Sequence, residues 1–267
     1  MNGNNKVLGM DLDVIKSRLI IEGIIKLKTQ MHIGTGVDDT DFSPESAILR
    51  ARLNLEDELS FPYIPNSTIK GNMRSEIEMI ANTLKQEIND KEYICNNYPE
   101  EICKIEKDSD ERTKELSTPC LVCRIFGGSD LASHIIISDA FPTEKTKEII
   151  STELKSGLKP GIAIDREKQV SRDGSLFFIE TLQPGVEFNF KMIINNITEQ
   201  TKPKEFKLLK SLFMMIKLGF LSYGGKKSTG MGRFTIENAT VKHLYEKDHF
   251  LFPEDVQTIE LYEFFGV

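Results

Sequence analysis

The sequence predicts an α+β fold. Two amphipathic helical stripes, one starting near residue 66 and one near 206, each follow strand-like segments, and Pro- and Gly-rich clusters break the chain between them. Arg18 to Gln30 (RLIIEGIIKLKTQ) is rich in Ile and Leu with partial alternation and reads as the first strand. It leads through His32-Ile33-Gly34-Thr35-Gly36 into an acidic, turn-rich loop from Val37 to Glu45, after which Ala47 to Leu55 reads as a second strand. Phe61-Pro62-Tyr63-Ile64-Pro65 is kept out of a helix by its prolines, which fix their own φ and push the preceding residue towards extended backbone. Asn66 or Ser67 then caps a helix whose apolar residues, Ile69, Met73, Ile77, Ile80, Ala81 and Leu84, share one face. Gly71 in its first turns costs about 1 kcal/mol relative to Ala, which calls for close packing or close approach of a ligand.

Asn89 to Pro119 is polar, charged and without periodicity, as an insertion would be. Ile135 to Ile137 is a short strand. Ala163 to Phe190 reads as strands split by the turn sequence Arg172-Asp173-Gly174-Ser175, giving a hairpin that projects from the body. Glu187 to Asn195 alternates Phe188, Phe190, Met192 and Ile194 to one side. Phe206 to Leu218 is the second amphipathic helix, and Gly232 to His243 the last strand region. Two β-α-β-like halves of this kind fit a ferredoxin-like (RRM-like) body. We expect one domain over residues 1–267, with a cysteine-containing insertion at 86–123 and the hairpin at 158–185.

Charged residues are 28% of the chain and hydrophobic residues 39%, a balance that excludes disorder over most of its length. No apolar run approaches the roughly 20 residues of a membrane-spanning helix, and Met1 to Ser17 lacks the apolar core of a signal peptide, so a cytoplasmic protein is expected. The formal charge of −7 argues at first against a nucleic-acid partner, yet the acids are unevenly placed. Gln86 to Glu115 holds ten acids against five bases, and Leu244 to Val267 holds six acids against one lysine. The rest of the chain is therefore net basic by three charges.

The richest segment is Leu221-Ser222-Tyr223-Gly224-Gly225-Lys226-Lys227-Ser228-Thr229-Gly230-Met231-Gly232-Arg233. Glycines admit a phosphate close to the backbone, and Lys and Arg neutralise it. The order of a Walker A loop is absent. Ser67, Thr68, Lys70 and Arg74 at the start of the first helix form a second anion-binding set, hydroxyls and cations around free backbone N–H groups. All four cysteines, Cys95, Cys103, Cys120 and Cys123, lie within 29 consecutive residues, and Cys120-Leu121-Val122-Cys123 has zinc-knuckle spacing. We expect one structural Zn²⁺ on these four thiolates, with His134 as a substitute ligand.

Ile64-Pro65-Asn66-Ser67-Thr68-Ile69-Lys70-Gly71-Asn72-Met73-Arg74 resembles the IPGSSLKGxxR signature of the RAMP superfamily. Gly224 to Gly232 is similar to that superfamily's G-rich loop. His32-Ile33-Gly34 looks like the opening of its first loop, and Cys123-Arg124-Ile125-Phe126-Gly127 resembles its CRLFG element. Lys159 to Arg166 with Arg172 to Phe177 looks like the thumb hairpin of type III CRISPR backbone subunits. The resemblance implies a subunit that stacks with copies of itself and with other effector subunits along a guide CRISPR RNA. It implies guide contacts from Ser67, Thr68, Lys70, Arg74, Tyr223, Gly224, Gly225, Lys226, Lys227 and Ser228, and thumb positions for Asp165 and Arg166. It also implies cleavage of paired target RNA, dependent on Mg²⁺ or Mn²⁺, by an acidic residue of the first loop.

That loop departs from the family's usual single Asp before an apolar strand. Asp38, Asp39 and Asp41 crowd it, with Phe42-Ser43-Pro44 after the last, so Asp41 matches best and Asp39 next. Two alternatives stay open. One is a structural, non-cutting subunit; the other is a metal-independent guide-processing ribonuclease with His32 as its base.

Overall fold

The computed structural model describes residues 12–34, 47–52, 60–88, 119–128, 131–152, 156–165 and 167–267. Four strands make the body: β1 (Arg18–Leu27), β4 (Ile135–Ile137), β7 (Glu187–Asn195) and β8 (Phe234–Leu244). Two short strands, β2 (Arg50–Ala51) and β3 (Phe61–Pro62), pair only with each other. Across the sheet the body strands lie as β4-β7-β1-β8, with every neighbouring pair antiparallel. Strands β1 and β4 therefore run parallel with β7 between them. Helix α1 (Asn66–Ile88) lies in their connection, and α4 (Pro203–Lys217) lies between β7 and β8. Two β-α-β halves thus interlock in one antiparallel sheet, as the strand and helix order led us to expect.

One face of the sheet is the core. Leu19, Ile21, Ile25 and Leu27 of β1 meet Phe188, Phe190, Met192 and Ile194 of β7, the alternation read from the sequence. Strand β8 buries Phe234 and Ile236, then Ala239 and Val241. The parity changes because an extra residue is inserted opposite Glu22–Ile24, where Asn238 takes a left-handed φ of 51°. Helix α1 lays Ile69, Met73, Ile77 and Ala81 on this face, and α4 adds Leu208, Leu209, Leu212, Phe213 and Ile216.

Three expectations change in detail. Helix α1 already includes Asn66, and its N–H donates to Asp139 Oδ1 at 2.7 Å, so the cap is supplied by a distant carboxylate. The expected strand at 47–55 is confined, among the described residues, to Arg50–Ala51. The expected insertion at 86–123 overlaps two helices. Helix α1 continues to Ile88, and α2 (Leu121–Phe126) is core, burying Leu121, Val122, Cys123, Ile125 and Phe126. Arg124 ties α2 to α4 through an ion pair to the buried Glu205 at 3.1 Å.

After α3 (Glu144–Thr152), strands β5 (Ser156–Asp165) and β6 (Val170–Leu182) form a separate two-stranded antiparallel hairpin. Its tip is at Asp165–Val170, where Asp165 Oδ1 accepts the N–H groups of Glu167 and Lys168. The sequence placed the turn at Arg172–Ser175. Those residues instead form an irregularity within β6: from the pair Ile162–Leu176 to the pair Ile164–Ser171, β6 advances five residues while β5 advances two.

The chain finishes with α5 (Lys247–Leu251), β9 (Thr258–Glu260) and α6 (Leu261–Phe265). Strand β9 extends the sheet beside β8, and Phe265 stacks on Phe206 and Phe213 of α4. Among the described residues no helix is long and apolar enough to cross a membrane.

Candidate nucleic-acid interface

One stem organises the loop end of the body. Backbone from Gln30 to Gly34 bonds in three directions at once. Met31 exchanges hydrogen bonds with Leu182 at the root of the hairpin, and His32 O accepts the Gly225 N–H of the glycine-rich segment at 2.9 Å. Gly34 bridges to Ile48, and Ile33 O accepts the Leu49 N–H. The two banks of the acidic loop are therefore held together beside both the hairpin and the glycine-rich segment. Asp38, Asp39 and Asp41 themselves lie outside the described residues, as do Arg166, Cys95 and Cys103.

Glu180 secures this junction. It is buried, accepts the Ile48 N–H at 2.9 Å, and takes both terminal nitrogens of Arg50. The bond to Glu180, opposed by burial, raises the Arg50 pKa. His32 places Nδ1 2.8 Å from Glu180 O and is itself buried. A side chain so enclosed is poorly placed to take a proton from an RNA hydroxyl, which argues against the processing-ribonuclease alternative.

The glycines of the loop divide into two roles. A Cβ on Gly224 would lie 2.1 Å from His32 O, and one on Gly232 would lie 1.9 Å from Tyr223 O; both residues have φ near +80°. These two glycines let the loop press onto its stem. Between them Lys226 takes a left-handed φ, and Lys227–Thr229 form one 3-10 turn that is exposed throughout. Tyr223, expected to touch RNA, is 0% exposed and stacked on Phe234 at 4.0 Å, and burial pushes its phenol up. It is a core residue, because the alternation Leu221, Tyr223 points inward while Phe220 and Ser222 point out.

Lys226 and Lys227 reach opposite neighbours. Lys226 Nζ sits over the ring of Phe177 on the hairpin, 4.6 Å from its centroid, and Lys227 Nζ donates to Asn72 Oδ1 on α1. The loop thereby joins hairpin and helix into one surface. On α1, Lys70 is part-buried and has no carboxylate partner among the described residues. Burial, and then the charge of Arg74, hold it below the usual lysine range. Ser67 is exposed and Thr68 half-buried beside it. Next to Lys70, Gly71 faces open space: a Cβ there would meet nothing within 4 Å. Close packing is thus excluded as the reason for that glycine.

Arg74 differs from its expected role. Its Nε bonds Glu78 at 2.8 Å, one terminal nitrogen bonds Gly127 O at 2.9 Å, and the other approaches Cys123 Sγ at 3.6 Å. It locks α1 to α2 instead of waiting for a phosphate. Asp165, similarly, is spent on the hairpin turn. Asn72, Phe177 and the Arg50–Glu180 pair were not singled out by sequence reasoning; their contacts arise only when distant segments meet.

Cys120 and Cys123 are both buried, and the Cys123 N–H points at Cys120 Sγ at 3.5 Å. Two neighbouring thiols with N–H···S support suit a soft ion, but they supply only half of a tetrahedral set, and no group of three metal-binding side chains occurs among the described residues. His134 cannot complete the set: its Nδ1 is bonded to Asn195 O at 2.7 Å and its Nε2 meets Lys202 Nζ at 3.1 Å.

Fold and surface together define an antiparallel α+β protein whose loop end presents cations, hydroxyls and a bare helical glycine. Residues 24–235 match the model of the RAMP superfamily, and the chain belongs to that superfamily. A protein of Methanocaldococcus jannaschii described as CRISPR system Cms endoribonuclease Csm3 is 27% identical over 228 residues, covering 82% of this chain and 78% of that one. A protein of Methanothermobacter thermautotrophicus with the same description is 24% identical over 244 residues, covering 84% and 85%.

Proposed function

We propose that this protein is a guide-RNA-binding backbone subunit of a type III CRISPR ribonucleoprotein, one that cuts the target RNA paired to its guide. The observation that carries the reading is Lys70 beside Gly71: a part-buried cation with no carboxylate partner among the described residues, next to helix surface stripped of its side chain for no packing reason. Such a place suits a sugar-phosphate strand. Lys226, Lys227 and Ser228 continue the track, Ser67 and Thr68 add hydroxyl donors, and Gly224 and Gly225 hold the loop at its height. Phosphate contacts of this kind accept any guide, since base pairing reads the sequence. The complex would be cytoplasmic, assembled from copies of this chain and other effector subunits.

The hairpin serves as the thumb. Its outer face exposes Leu158, Ile162, Ile164, Leu176 and Phe178, apolar residues suited to wedge between base pairs and splay a nucleotide. A freed 2′-OH then attacks the adjacent phosphorus as its proton passes to a carboxylate of Asp41, Asp39 or Asp38. The P–O5′ bond breaks and the departing oxygen takes a proton from water, leaving a 2′,3′-cyclic phosphate and a 5′-hydroxyl. A Mg²⁺ or Mn²⁺ ion held by the same loop would stabilise charge on the phosphate. The bridge between Gly34 and Ile48, next to the Met31–Leu182 bonds at the hairpin root, supports this reading. The four cysteines would bind one structural Zn²⁺.

Neutralising Lys70, Lys226 and Lys227 together should weaken guide binding by at least about a hundredfold and reduce its salt dependence; unchanged affinity refutes the reading. Within an assembled complex, Asp38→Ala, Asp39→Ala and Asp41→Ala combined should stop cutting while guide binding persists. Cutting that continues at the original rate removes these residues from catalysis. Metal analysis should return one zinc per chain.

A further inference from the structure

A cleft of about 280 Å³ opens beside the loop end, between α1 and the chain from Phe220 to Arg233. Two large apolar side chains at its edge are left in water, Met79 at 59% and Phe220 at 62% exposure. Phe220 is a fixed platform. Its N–H donates to Met215 O at 3.0 Å, and Leu221 immediately after it is buried, so the backbone is anchored while the ring faces outward. Around this apolar floor stand groups of both hydrogen-bonding senses: Asn72, the Glu76 carboxyl, whose pKa is raised by burial against the pull of Lys227, and Arg233. The Arg233 backbone is tied down by Thr29 Oγ1 and Lys28, but its guanidinium has no ion-pair partner among the described residues.

We infer that this cleft holds one unstacked nucleobase of the bound strand, with the Phe220 ring as stacking surface and Glu76 and Arg233 meeting the base edge, while Asn72 stays bonded to Thr68 and Lys227. The inference rests on the RNA-binding reading above and goes beyond it, because the phosphate track alone needs no pocket. A flat heterocycle with donors and acceptors on its rim matches an aromatic floor flanked by a carboxyl and a guanidinium. Lys227 lines the cleft and also lies on the phosphate track, so a single nucleotide can place its phosphate on one and its base in the other. A protein segment would have less use for two cations flanking one carboxyl.

The test uses the full-length protein and short single-stranded RNAs carrying 2-aminopurine at successive positions, since stacking quenches its fluorescence. One position should be quenched on binding. Phe220→Ala should restore that emission and weaken binding by about tenfold, while Phe220→Trp should preserve both. Met79→Ala should show a smaller change of the same sign. If Phe220→Ala binds RNA with wild-type emission at every position, the cleft takes no base and the inference is overturned, while the guide-binding reading stands. A defect confined to self-association, read by sedimentation without RNA, assigns the cleft to protein and overturns it equally. Failure of wild-type protein to bind any RNA removes the underlying reading, and this one with it.

Discussion

The outer face of the sheet and the loop end are both rich in basic residues, yet they are electrostatically unlike. On the sheet Lys26 lies 3.4 Å from both Glu187 and Glu237, Lys28 pairs with Glu237 at 2.6 Å, and Lys191 pairs with Glu22 at 2.6 Å. Two of these, Lys26–Glu187 and Glu22–Lys191, are direct cross-strand partners in the register of β1 and β7. At the loop end Lys70, Lys226 and Arg233 have no ion-pair partner among the described residues. Affinity for a polyanion depends on cations that are not already neutralised, so the proposed RNA contact falls to the second region and not to the first. The chain's negative total charge is therefore no guide to its ligand.

The strongest attempt to break this contrast exchanges the two sets. Lys70→Ala, Lys226→Ala and Lys227→Ala combined should cut affinity for single-stranded RNA by at least about a hundredfold and lower the salt slope by about two, at roughly 0.7 per phosphate contact. Lys26→Ala, Lys28→Ala and Lys191→Ala combined should leave affinity within about twofold in the same filter-binding titration. Equal losses from both sets would dissolve the distinction.

Arg74 tests it from the other side, as a cation within the signature that is already engaged. Arg74→Ala removes the bonds to Glu78 and to the Gly127 carbonyl, and should cost about 2 kcal/mol of stability in a denaturant titration. RNA affinity, measured where the variant is still folded, should change less than it does for Lys70→Ala. Gly71→Ala separates folding from binding: it should stabilise the helix by up to about 1 kcal/mol and weaken RNA binding several-fold. An increase in both would leave Gly71 without a functional explanation. The smallest effect is on pH. Burial and Arg74 depress Lys70, so its charge is lost at lower pH than that of ordinary lysines. RNA affinity should therefore begin to fall below the usual lysine range, and Lys70→Arg should remove that early fall.

The body was legible in the sequence because its elements carry strong periodicity. The alternation at Phe188–Ile194 and the stripe at Ile69–Ala81 each have one face in the core. The hairpin was legible, but its tip was not. Gly174 and its neighbours are turn formers, yet Asp165 closes a tighter turn with its own carboxylate and leaves 172–175 as an irregularity. The site was legible as segments and misleading at single residues. Lys226 and Lys227 do reach the hairpin and α1, but Tyr223 and Arg74 sit in the same motifs and turn inward. Which side a residue takes depends on partners such as Phe234, Glu78 and Gly127, distant or across a helix turn. The acidic stretch Leu244–Val267 was read only as charge, whereas its apolar minority, Leu261 and Phe265, completes the core over α4.

The ion pair between Glu180 and Arg50 ties two distant segments together. Glu180 stands at the root of the hairpin and Arg50 in the strand that follows the acidic stretch. On the proposed reading, a duplex pressing on the hairpin would load this pair, and with it the chain at Ile48, whose N–H the same carboxylate accepts. A single buried acid thus couples the hairpin to the segment at 48–50.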